Sequence, residues 1–111
     1  MEVLEVFRTK KGVTQTNVAT GQIHLEFGNV YMVFENSGFS KFSTFISQAD
    51  SIGLDKLKAG PSNKVLIYPC KSSVCYAFEE VEFRELQSLV SGTRAMIQLK
   101  NEVEQILSLE V

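Results

Sequence analysis

The stretch from Val30 to Gln48 has a counterpart 44 residues downstream, and that offset constrains the fold more than any other feature of the chain. VYMVFENSGFSKFSTFISQ (30–48) aligns without a gap on VCYAFEEVEFRELQSLVSG (74–92). Val30/Val74, Phe34/Phe78, Glu35/Glu79, Phe39/Phe83 and Ser47/Ser91 are identical, and apolar positions between them match: Val33/Ala77, Phe42/Leu86, Phe45/Leu89 and Ile46/Val90. Each segment reads as an apolar strand, a short polar turn and an amphipathic helix. A period in this range is the mark of a repeated supersecondary unit, although any two strand–turn–helix units share a binary pattern. The expected units are 22–50 and 65–93 within a single domain spanning 1–111.

The bulk composition fits one ordinary folded domain. The chain has 111 residues, 44% of them apolar and 22% charged. A chain this long buries about two thirds of its unfolded surface, enough for a core without covalent staples. The net charge of −2 and a pI near 5.4 argue against a phosphate-tracking surface, so no nucleic-acid partner is expected. No uninterrupted apolar run reaches the ~18 residues of a membrane helix, and the alternating MEVLEVFRTKKG start has no signal-peptide core. The expected address is the cytoplasm, without a membrane partner, where Cys70 and Cys75 stay reduced.

Along the chain, Glu2–Arg8 reads as a strand and Thr9–Gly12 as a turn, with Gly12 suited to positive φ. The segment from Val13 to Ala19 is β-branched but poor in apolar residues, which predicts an edge strand. Ile23, Leu25 and Phe27 alternate with His24 and Glu26, the period of a half-buried strand. Gly28-Asn29 then predicts a two-residue hairpin onto Val30–Phe34. Asn36-Ser37 is placed to cap a helix burying Phe39, Phe42, Phe45, Ile46 and Ala49.

Leu54 and Leu57 extend a last helical turn into an irregular connection ending near Lys64. A strand Lys64–Tyr68, limited by Pro69, is expected to turn through Lys71-Ser72-Ser73 onto Val74–Phe78. Glu79, Glu80 and Glu82 open a second helix, where negative charge suits the macrodipole, and Phe83, Leu86, Leu89 and Val90 form its buried face. Gly92 predicts a kink or break, since glycine costs a helix about 1 kcal/mol relative to alanine. Beyond it Met96, Leu99, Val103, Ile106 and Val111 recur at helical spacing.

Few residues carry chemistry. His24, the only histidine, shares a strand face with Glu26, and an imidazole–carboxylate pair at i, i+2 suits metal or ligand binding. Cys70 and Cys75 form a C-x4-C pair, and with His24 they make three zinc-capable residues, one short of a closed structural site. The competing reading is a solvated strand face and packed thiols. There is no nucleophile elbow, Walker loop, dinucleotide fingerprint or EF-hand spacing, so no cofactor is implied and catalysis is not argued.

The motif Ile23-His-Leu-Glu-Phe-Gly-Asn29, followed by Val30-Tyr-Met-Val-Phe34, resembles an uncharacterised bacterial family of small single-domain proteins. In that family a His-Leu-x-Phe-Gly-Asn hairpin runs into a strand and a helix, and relatives often carry a Cys-x-x-Cys pair just upstream. The segment from Gln15 to Ala19 has no cysteine, so the resemblance does not imply a zinc site there. It implies a fold and no activity.

The sequence therefore predicts an α+β domain. Two β-hairpin–helix repeats form an antiparallel sheet with helices on one face, plus an N-terminal hairpin and a C-terminal helix. The leading functional expectation is a non-catalytic interaction or structural module, with a protein partner or a homodimer formed through Met96, Leu99, Val103 and Ile106. The alternative is a small-molecule or metal-binding protein using His24, Glu26, Cys70 and Cys75.

Overall fold

The computed structural model describes residues 2–68 and 75–109. It is α+β. Four strands, β1 (Val3–Arg8), β2 (Gly12–Asn17), β3 (Ile23–Phe27) and β4 (Val30–Phe34), pair as an antiparallel meander in chain order. Helix α1 (Asn36–Ile52) and the single turn α2 (Leu54–Leu57) follow. A second antiparallel sheet, β5 (Lys58–Ala59), β6 (Lys64–Ile67) and β7 (Tyr76–Phe78), leads into the long helix α3 (Glu80–Leu109).

The strands are split between two sheets where one was expected. Strand β6 has only two edges, and both are taken, one by β7 and the other by the two-residue β5. No edge of β6 remains for β4, which passes directly into α1. The sheets meet through side chains, with the rings of Phe27 and Phe78 edge to face at 5.9 Å.

The hairpin at Gly28-Asn29 is as expected. Phe27 pairs with Val30, and Gly28 adopts φ 55°, which a two-residue hairpin turn demands. Ile23, Leu25 and Phe27 are buried together with Met32 and Phe34. In the other matched segment, Phe78 pairs with Val65, whereas Phe34 pairs with Ile23. The second register is thus displaced by two residues relative to the 44-residue offset. An even displacement leaves the same side chains facing inward, and Phe34, Phe78, Phe39 and Phe83 are all buried.

Helix α1 buries Phe39, Phe42, Ile46 and Ala49 as its spacing predicts. Its start differs: Glu35 is the N-cap and makes no side-chain capping bond, so Asn36 and Ser37 already lie within the first turn. Helix α3 has a reciprocal contact at its start, with the Glu79 amide donating to Glu82 Oε1 at 3.0 Å. The flanks of α1 and α3 are tied by Arg84 to Asp50 and by Gln87 Nε2 donating to the Ile46 carbonyl at 3.1 Å.

Strand β2 is central, between β1 and β3, and not an edge. Its inward residue Thr14 is fully buried, and its hydroxyl lies 2.7 Å from that of Thr93 on α3. Each hydroxyl also reaches a carbonyl, Thr93 donating to Leu89 at 2.7 Å and Thr14 to Phe7 at 3.4 Å, so either can be the donor within the pair. A buried polar side chain with a partner is compatible with a central strand.

Helix α3 also runs through Gly92 without a break. A Cβ at Gly92 would overlap the Phe7 ring of β1. Gly12 serves the same purpose at β2, where a Cβ would stand 2.6 Å from Leu89 Cδ2. Neither glycine is there for positive φ; both let the helix and sheet approach closely.

Gly92→Ala should therefore destabilise the protein by about 1–2 kcal/mol in urea unfolding, because overpacking exceeds the gain in helix propensity. In a Phe7→Ala background the sign should reverse, since the ring is gone and the propensity gain of about 1 kcal/mol remains. Loss of stability in both backgrounds would rule out the Phe7 clash as the cause. Thr93→Val should cost about 0.5–1.5 kcal/mol by removing the hydroxyl pair, since Thr14 keeps its longer bond to the Phe7 carbonyl. The double variant Thr14→Val/Thr93→Val should cost less than the sum of the singles; strict additivity would show that the hydroxyls are not coupled.

Candidate interaction surface

The outer face of the four-stranded sheet carries the sequence-predicted pair. In-register pairing places His24 beside Val33 and Gln15, and Glu26 beside Tyr31 and Val13. His24 and Glu26 do share a face, but His24 is engaged by Tyr31. Its Nδ1 lies 2.5 Å from the Tyr31 hydroxyl, with the rings edge to face at 5.8 Å. On the same face Arg8 binds Glu5 at 2.7 Å, and that hydrogen bond, aided by the charges of Glu5 and Glu26, raises the arginine pKa. The carboxylates on this face are thus near a cation already.

Cys75 belongs elsewhere, just before β7 in the second sheet, where it is a free thiol; Cys70 lies outside the described residues. Among the described residues, no three His, Cys, Asp or Glu side chains gather closely enough to hold a metal ion. The contact at Cys75 is with Tyr68: a hydrogen bond between hydroxyl and thiol, reinforced by charge, raises the tyrosine pKa. A hydrogen bond made by the neutral phenol, together with unfavourable charge beside the phenolate, favours the protonated form.

The C-terminal stripe has a different setting. The body of the molecule ends near Ile97, and every residue from Gln98 to Ser108 is exposed although helical. The projection gives the molecule its length, with extents of 57 × 31 × 28 Å. Met96, Leu99, Val103 and Ile106 lie along this segment and are 43%, 53%, 46% and 58% exposed. Leu107 at 57% joins them. It was missed in the sequence, although its i, i+4 spacing from Val103 was the available signal.

Where the projection leaves the body, a groove of about 510 Å³ separates α3 from the end of the sheet. Leu4, Val6, Val18 and Ile23 line one side, and Met96 and Ile97 the other. Val6 is the extra residue where the β1–β2 register shifts, and such bulges bend a strand away from its neighbours. Leu4 and Val18 remain about half exposed at this rim.

The projecting segment and the groove together offer exposed apolar contact area. The model of a family of unknown function (DUF6686) matches residues 1–109. The chain belongs to this family. No curated protein and no solved structure matches it. The match covers both sheets and the whole of α3, so the projecting segment is part of the matched family domain. None of the described helices is long and apolar enough to cross a membrane.

The Tyr68 contact is testable apart from any function. Cys75→Ala should lower the Tyr68 pKa toward its ordinary value of 10.0, followed by the ring resonances in an NMR titration. An unchanged titration would mean that the hydroxyl and thiol do not meet in solution.

Proposed function

We propose that the chain is a non-catalytic protein-interaction module whose contact surface is the projecting half of α3. The observation that carries this reading is a run of exposed helix, Gln98 to Ser108, bearing an apolar row that the body does not cover. Contiguous exposed apolar surface on a folded domain marks a contact site.

Metal or ligand binding at His24, Glu26, Cys70 and Cys75 has less to support it. The Tyr31 hydroxyl occupies one ring nitrogen of His24, and Cys75 sits in the other sheet. Arg8 is held near Glu5 and Glu26 by charge. A cytoplasmic location fits the reading, with both cysteines as thiols.

A photo-crosslinking amino acid at Val103 tests the module in cells. It should give one or a few discrete adducts, while the same group at Gln105, on the opposite side of the helix, should give at least tenfold less. Equal labelling from both positions, or none from either, would count decisively against the surface.

A further inference from the structure

We infer that the occupant of this surface is a second copy of the chain, with the two projecting helices packed antiparallel. The inference rests on reading that half of α3 as a contact surface. It goes further in naming the partner and the geometry.

The first argument is continuity with an interface that already exists. Leu89, Gly92, Met96, Leu99, Val103 and Ile106 follow steps of three and four, the spacing that keeps one seam facing a packed neighbour. The first two positions are covered inside the chain. Leu89 is buried beside Gly12, and Gly92 lies beneath the Phe7 ring. From Met96 onward the same side of the helix has run past the sheet, and the seam is open. The sheet thus occupies one end of a seam whose other end has nothing against it among the described residues.

That continuity also decides the direction. A second helix lying parallel on the open seam would extend back, at the level of Gly92, into the space of β1 and its Phe7. An antiparallel helix runs the other way, so its body lies beyond the tip of the first α3. The open seam accepts this reversal. Its steps of three, four and three are the same read from either end, so Met96 faces Ile106 of the second copy and Leu99 faces its Val103. A two-fold axis at the level of Asn101 makes the contact self-complementary and closed, as an isologous dimer requires.

The area is sufficient. In this register Ile106 and Leu107 of the second copy reach the groove between Leu4, Val18 and Met96. Covering the exposed parts of Leu4, Val18 and the five apolar α3 side chains in both copies removes roughly 1,200 Å², at the lower limit for specific complexes. Interfaces of standard size span roughly micromolar to picomolar dissociation constants, set by more than area, and one at the lower size limit is placed in the micromolar range.

Sedimentation velocity and small-angle X-ray scattering on the full chain, from about 1 to 200 µM, bracket that range. The expected result is a reversible monomer–dimer equilibrium. Two chains 57 Å long that overlap about Asn101 should reach a maximum dimension of roughly 90 Å, given a helical rise of 1.5 Å per residue. Leu99→Asp/Val103→Asp should weaken dimerisation at least 100-fold, with an unfolding midpoint unchanged when both proteins are measured at concentrations where they are monomeric; if that variant misfolds, Val103→Asn replaces it, with a loss of at least tenfold expected. A wild-type monomer at 200 µM overturns the second-copy inference. In that case a Val103 adduct to a different protein leaves the module reading standing, whereas absence of any Val103 adduct removes both. A dimer that survives the substitutions, or one only about 60 Å long, overturns the proposed seam or its antiparallel sense.

Discussion

The structure depends on how closely α3 passes over β1 and β2. Side chains normally fill the space between a packed helix and sheet, and here two of the intervening side chains are absent. Gly12 makes room for Leu89, and Gly92 makes room for Phe7. Between these contacts the Thr14 and Thr93 hydroxyls meet at 2.7 Å. The apolar contacts favour proximity but are tolerant of sliding. The hydroxyl pair is not, because a one-turn slip would break a buried hydrogen bond worth about 0.5–1.5 kcal/mol. Glycine sets the separation and threonine sets the axial position. Sheet two and α1 then pack on the remaining sides of the same helix, through Phe83, Leu86 and Val90.

This dependence explains what could be read in the sequence and what could not. Although Asn36 and Ser37 lie inside the first turn of α1 instead of capping it, most local signals held. The alternation of Ile23, Leu25 and Phe27, the Gly28-Asn29 turn and the Phe39–Phe42–Ile46–Ala49 face are all of this kind. The other readings that failed depended on distant partners. Strand β2 looked like an edge because Thr14 is polar, yet the group that satisfies it lies 79 residues away. Gly92 looked like a helix break because propensity counts only the helix itself; the Phe7 ring makes it a packing requirement. The separate second sheet turned on β5, two residues too few to carry any strand pattern.

The candidate surface shows the same division. The spacing of Met96, Leu99, Val103 and Ile106 revealed a shared face from sequence alone. It did not reveal that this face emerges from the body, because the emergence is set by where β1 begins and by Leu4 standing at its rim. Conversely, His24 and Glu26 were correctly placed on one strand face, but Tyr31 reaches His24 only through the cross-strand register. A titratable pair in sequence became an aromatic and hydrogen-bonded contact once the hairpin closed.

A single periodic seam on α3 thus has two environments, and its chemistry changes where they meet. On the body side it carries Leu89 and Gly92, one buried and one reduced to a hydrogen so that a phenyl ring can lie against the helix. Past the sheet it carries Met96, Leu99, Val103 and Ile106, all of them large. If this outer stretch were merely a solvated helix end, polar residues at these four positions would leave every contact of the body intact. Large apolar side chains at seam spacing are instead what a facing helix of similar width requires. The closest approach of helix to sheet and the open seam beyond it are therefore linked. The small residues that bring β1 onto α3 end where the sheet ends, and the large ones begin where another helix has room to lie.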